Sequence, residues 1–183
     1  MPLVILGHPN YPKSLANKAV VDALSSSDLD IEVRNIHAMY PDYQIDAKAE
    51  QAALLKHHAV VFQYPLYWYN MPAILKQWFD TVFEYQFAYG SQGDKLKNKL
   101  FIPSFTVGAP EEEYGALGEH HFRVGEFCKN LEQTAYYAKM QYIDPFYFHG
   151  TSIHAGYTED AVRANAAQQA SRLIQRLQNR PSA

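Results

Sequence analysis

The chain has 183 residues, 48% hydrophobic and 19% charged, the proportions of a single soluble globular domain spanning residues 1–183 with a core of its own. A formal net charge of -3 offers no basis for binding nucleic acid, no run approaches the length of a membrane span, and no export pattern opens the chain, so a cytoplasmic domain is expected. A lone cysteine, Cys128, excludes an internal disulfide framework, and its helical context makes it a small buried hydrophobe rather than a nucleophile.

Residues 3–6 form an apolar run suited to a central parallel strand, and Gly7-His8-Pro9-Asn10 ends it with turn formers. Ser14 then caps a helix carrying Leu15, Ala19, Ala23 and Leu24. The amides of Leu15, Ala16 and Asn17, with the Ser14 hydroxyl, would face outward there as a phosphate site; a cap that binds only water is the competing reading. Ile31, Val33 and Ile36 suggest a second, more exposed strand, followed by a helix capped by Asp46 and running through Leu54 and Leu55.

The stretch 60–82 organises the chain. A buried strand opens it, and Pro65 stops the ladder because it has no amide hydrogen. Tyr67, Trp68 and Tyr69 follow in a row. Pro72 sits at a helix start, ahead of Ile74, Leu75, Trp78, Phe79 and Val82 at helical spacing. Three aromatics on a strand-to-helix turn suit a flat ligand, or a hydrophobic staple closing the turn.

A fourth strand begins at Leu100-Phe101-Ile102, where Pro103 demands a bulge or an unpaired position. It leads into Thr106, Val107, Gly108 and Ala109, a small-residue turn that lets backbone approach a ligand. A polar loop over 111–121 holds Tyr114, His120 and His121. A helix with Phe127, Leu131 and Ala135, a fifth strand around Phe146-Tyr147-Phe148, and a closing helix capped by Thr158 complete the chain. Strands alternating with helices predict an α/β three-layer sandwich on a five-stranded parallel sheet, and the order 2-1-3-4-5 would bring the turns after strands one, three and four to one edge.

Dinucleotide and P-loop glycine motifs are absent, as is a Gly-x-Ser-x-Gly elbow. The adjacent pairs His57-His58 and His120-His121 diverge on any regular backbone, so no metal site is expected. A phosphate-sized site, a wall of aromatics and a Thr/Gly backbone ledge together describe a pocket for a phosphorylated planar heterocycle, which flavin mononucleotide (FMN) fits best.

Gly7-His8-Pro9, Ser14 to Asn17, Tyr64-Pro-Leu-Tyr-Trp-Tyr-Asn-Met-Pro-Ala-Ile-Leu-Lys76, Phe87-Ala-Tyr-Gly90 and Thr106-Val-Gly108 resemble the flavodoxin-like NAD(P)H:quinone oxidoreductases. That family includes the mammalian-type quinone reductase and the bacterial ancillary reductases of glutathione-gated potassium efflux systems. Thr-Thr-Gly-Gly is usual there where this chain has Thr106-Val107-Gly108-Ala109, so a hydroxyl is missing at Val107. The resemblance implies a flavodoxin-like fold with FMN, FAD being used by relatives with a longer carboxyl-terminal extension. It implies that His8, Ser14, Leu15, Ala16 and Asn17 hold the flavin phosphate. Pro65, Leu66, Tyr67, Trp68 and Tyr69, with Thr106, Val107, Gly108 and Ala109, would flank the ring. Tyr114 and His120 would be the catalytic pair, with His121 the rival for His120.

The activity so implied is hydride transfer from NAD(P)H to a quinone-like acceptor by a ping-pong route, in a homodimer with its active site at the subunit boundary. Two alternatives stand beside it: a regulatory ancillary subunit on a potassium-efflux transporter, and a flavodoxin-type electron carrier, which would usually be more acidic.

Overall fold

The computed structural model describes residues 1–179. Strand β1 (Pro2–Leu6), which has no polar side chain to hydrate, is buried along its whole length between β2 (Glu32–Asn35) and β3 (Ala59–Pro65). Strand β4 (Leu100–Thr106) lies beyond β3, and two short strands, β5 (Gln141–Tyr142) and β6 (Phe146–Phe148), share its outer edge. All pairings are parallel, in the expected order β2-β1-β3-β4-β5.

The expected fifth strand is present as β6, β5 is a further short strand ahead of it, and Pro103 shows why this edge is split in two. Gln141 and Ile143 donate to the carbonyls of Lys99 and Phe101, so the odd-numbered residues of β4 turn their polar groups to this edge. Pro103 falls in the gap between β5 and β6, where no partner needs its missing hydrogen. Ile36 departs from expectation too. Instead of extending β2, it opens the one-turn helix α2 (Ile36–Met39), where Asn35 Oδ1 accepts from the Ala38 amide at 3.2 Å.

Side chains alternate across the strands into two cores. On one face Leu3, Ile5, Val60, Phe62 and Phe101 pack under α2, α3 (Ala47–Lys56), α4 (Ala73–Val82) and α5 (Lys129–Tyr137). On the other, Val4, Val61 and Ile102 pack under α1 (Ala16–Ser25) and α6 (Glu159–Gln178). Phe62 sits among Phe101, Phe79 and Trp78 with ring centroids 4.5, 4.8 and 5.8 Å away, and each such burial stabilises by about 2 kcal/mol. Cys128 is buried, and burial pushes its thiol up to about 11, which leaves it inert at neutral pH.

A single buried carboxylate ties the first core's helices together. Glu50 accepts from Arg34, from the Tyr40 hydroxyl at 2.7 Å and from Trp78 Nε1 at 2.8 Å. Burial and the Glu50 contact push the Tyr40 phenol up to about 12. These contacts hold α2, α3 and α4 in place and so fix the turn from which α4 departs.

Candidate functional site

The turn after β1 is shaped by its own side chains. Ser14 is extended (φ -79°, ψ 116°) while Leu15 is already helical, so Ser14 is the working cap, accepting from the Asn17 amide at 3.2 Å. This corrects one expectation: the Asn17 amide is used internally, and its side chain is buried. Among the described residues the amides of Leu15 and Ala16 have no partner, so two donors remain at the helix start. His8 is nearly enclosed and accepts from the Asn10 amide at its Nδ1, 3.0 Å away. Burial, reinforced by His37, holds it down at about 4, so at neutral pH the ring is uncharged and its proton sits on Nε2.

The turn after β3 is tighter than a strand-to-helix loop needs to be. Tyr67 and Asn70 exchange both backbone hydrogen bonds, at 2.9 and 3.0 Å, and Trp68 and Tyr69 between them have φ of 48° and 63°. Positive φ at both central positions marks a type I′ turn, which favours Asn-Gly and strains large side chains. That geometry leaves Trp68 92% exposed, standing clear of the chain's own core. Pro65 is buried in the strand, and the Leu66 amide donates to the Thr106 carbonyl at 2.8 Å, fastening this turn to the next.

The third turn is a braced ledge. The amides of Gly150, Thr151 and Ser152 donate to the carbonyls of Ala109, Val107 and Gly108, and the Val107 amide donates to Phe148. Among the described residues the Gly108 and Ala109 amides have no partner. Val107 is fully buried in the first core, so its side chain faces away from the ledge. A Cβ on Gly108 would meet nothing nearer than Ser152 Cβ at 4.0 Å, so the chain's own packing does not require glycine there.

Side-chain contacts bring the turns to one rim. The rings of His8 and Tyr67 lie 6.4 Å apart, and Asn17 Nδ2 donates to Thr106 Oγ1 at 2.9 Å. Over this rim hangs the 111–121 loop. His120 stacks on Tyr114 with centroids 4.3 Å apart, and its Nδ1 lies 3.2 Å from the Tyr69 hydroxyl. His121 is exposed, with φ of 55°, and takes no part in this cluster. Burial, and then Tyr69, raises the Tyr114 phenol above its ordinary range, so it is a neutral donor at physiological pH.

A family model described as a flavodoxin-like fold matches residues 2–174. The chain belongs to that family. Among its relatives is the Bacillus subtilis NAD(P)H oxidoreductase YrkL, 40% identical over 81% of this chain and 85% of its own. The potassium-efflux ancillary protein KefF of an Enterobacter species is 35% identical over 95% of this chain and 96% of its own. In three dimensions the chain is similar to general stress protein 14 of Treponema denticola, solved in complex with FMN. The TM-score is 0.86, at 36% identity and 97% coverage of both chains.

In a flavodoxin-like sheet, ligands collect outside the carboxyl ends of the strands where the order reverses, and this rim lies there. Its groups suit a flavin mononucleotide: free helix-start amides and a neutral histidine donor for a phosphate, a free aromatic face for a ring, free ledge amides for ring carbonyls. Sequence reasoning missed three contributors. Tyr11 lies against His8 with centroids 6.3 Å apart, and His149, 5.2 Å from Tyr114, backs the loop. His149 Nδ1 lies 3.3 Å from the Ala109 carbonyl, and burial lowers its pKa, keeping it neutral. Gln63 is the third; its signal was a polar residue inside an otherwise apolar strand. Among the described residues no group of acidic, histidine and cysteine side chains could hold a metal ion, and no helix is long and apolar enough to cross a membrane.

Proposed function

We propose that the chain is an FMN-dependent NAD(P)H oxidoreductase that passes hydride to a quinone-like acceptor by a ping-pong route. The observation that carries this reading is the convergence of unpaired backbone donors and an exposed indole on one rim. Likeness to an FMN complex and to an NAD(P)H oxidoreductase over most of the chain supports it.

When bound, the flavin supplies the two-electron chemistry; the residues supply place and polarity. Leu15, Ala16 and His8 would hold the phosphate, and the Gly108 and Ala109 amides would orient the ring edge. Trp68 and Tyr67 would lie against the flat face on which nicotinamide and acceptor would bind in turn. Tyr114 and His120 would donate to an oxygen on which negative charge grows. The Tyr69 hydroxyl keeps His120 on Tyr114.

A homodimer with the site at its boundary fits the exposed aromatics, since Trp68, Phe122, Tyr136 and Tyr137 are each more than half exposed. A second reading, in which the chain also serves as an ancillary subunit of a potassium-efflux system, is favoured by the near full-length match to KefF.

The test is to release and weigh the flavin of the purified protein, then mix it anaerobically with NADPH and afterwards with a quinone in a stopped-flow instrument. Rapid two-electron bleaching and rapid recovery are expected. A protein that takes up no flavin, or one whose stepwise reduction accumulates a stable semiquinone, would overturn the enzyme reading, the latter in favour of an electron carrier.

A further inference from the structure

Between the sheet and the helices α1 and α6 runs a line of buried polar side chains that the proposed site does not use directly. Gln169 Nε2 on α6 donates to Ser104 Oγ on β4 at 2.8 Å, and Ser104 Oγ donates to Gln63 Oε1 on β3 at 2.6 Å. Gln63 Nε2 donates to Asn17 Oδ1 on α1 at 2.8 Å, and Asn17 Nδ2 donates to Thr106 Oγ1 at 2.9 Å. None of the five residues is more than 3% exposed.

The line has a direction. Ser104 has one hydrogen and spends it on Gln63, so it can only accept from Gln169. Passed from amide to amide, that polarity ends on Thr106, whose oxygen accepts from Asn17 while its own hydrogen has no acceptor among the described residues. Thr106 is the last residue of β4, at the rim.

Stability alone does not account for this arrangement. Val20, Leu24, Val61, Ile102, Ala166 and Ala170 belong to the apolar core on this face, which leucine-sized side chains could fill without desolvating amides. Gln169 Oε1 is buried with no partner, a further cost of about 1–3 kcal/mol. What the line does achieve is mechanical: it joins the helix start carrying the free Leu15 and Ala16 amides to the strand end carrying the ledge.

We propose that Gln63, Ser104 and Gln169 are positioning residues that act through Asn17. They fix the separation between the anion-binding start of α1 and the Thr106–Ala109 ledge, so that both ends of one phosphorylated ligand are met at once. This rests on the flavin reading above.

The prediction is specific to ligands that span both ends. FMN, riboflavin and inorganic phosphate are titrated separately into flavin-free protein, wild type and the variants Ser104→Ala and Gln169→Leu, and each Tm is recorded. FMN binding is expected to weaken at least fivefold in both variants and riboflavin and phosphate to stay within twofold of wild type; the Tm should fall in Ser104→Ala, which leaves Gln63 Oε1 and Gln169 Nε2 unpaired, and should hold in Gln169→Leu, where Ser104 keeps its bond to Gln63. Unchanged FMN affinity overturns the inference, as does a loss of all three ligands in step with the Tm, which would make the line merely structural. Should Gln169→Leu fail to fold, Ser104→Ala, which removes only an oxygen, carries the comparison. A wild type that binds no FMN would sink the functional reading itself and this inference with it, whereas variants indistinguishable from a binding wild type sink this inference alone.

Discussion

Asn17 Nδ2 donates to Thr106 Oγ1 at 2.9 Å, joining residues 89 positions apart in sequence. The bond closes the distance between the Ser14 cap and the backbone ledge after β4. It makes one rim of what the sequence presents as separate turns, and it does so from inside the protein, leaving the outward amides for a ligand.

The first prediction concerns the cost of the aromatic turn. Trp68 and Tyr69 occupy the two positive-φ positions of a type I′ turn, where Asn and Gly are at ease. Because Trp68 is 92% exposed while Tyr69 packs on Phe127 and bonds His120, the single substitution Trp68→Asn should raise stability by about 1 kcal/mol in urea unfolding while sharply lowering oxidoreductase turnover. A destabilised Trp68→Asn variant would mean that the turn is set by packing of the indole rather than held against its preference.

His8 makes acid stability measurable. Its pKa is about 4 when folded against an ordinary value of 6.5, so between those values the unfolded chain binds a proton that the folded protein refuses. The flavin-free protein should therefore be at full strength with respect to His8 above pH 6.5 and lose up to about 3 kcal/mol as the pH falls to 4. His8→Gln should flatten that limb of the Tm-against-pH curve. An identical acid limb in the variant would show that His8 titrates normally.

Val107 tests which way the ledge faces. Because its side chain is fully buried, Val107→Thr would put a hydroxyl into the apolar core rather than beside a ligand. Stability should fall by about 1–3 kcal/mol with FMN affinity unchanged within twofold. Tighter FMN binding would mean that the side chain reaches the ligand.

Tyr114 and His120 should matter to the chemistry and little to binding. With Tyr114→Phe or His120→Ala, transient kinetics should show flavin reduction or reoxidation slowed by up to about a hundredfold, the equivalent of about 3 kcal/mol for one lost donor. His121→Ala is the control, since His121 is exposed and outside the cluster. Equal rates in both half-reactions for both variants would remove the pair from the mechanism.

Much of this was legible in the residues because punctuation and periodicity agreed. Pro65 and Pro72 bracket the aromatic turn as the strand end and helix start that the structure shows, and the strand order followed from apolar runs alternating with helical patterns. What stayed hidden depends on tertiary context. Turn statistics do not place Trp-Tyr in a type I′ turn, because the strain is held by flanking structure rather than announced by the dipeptide. The inward aim of Asn17 depends on Gln63 and Thr106, which reach it only after the sheet forms. The split of this edge into two strands follows from Pro103 on the neighbouring strand, a partner that the segment 141–148 does not itself reveal. His149 came to the site through β6, which ends one residue before it.

The most direct test of a single shared site is to titrate FMN into isotope-labelled protein and follow the amide resonances of Leu15, Ala16, Gly108 and Ala109 with the indole of Trp68. All five should move together and saturate with one dissociation constant. Shifts confined to one turn, or centred instead on the groove between α4 and α5 lined by Phe79, Leu131 and Tyr137, would show that the three turns do not form one flavin site.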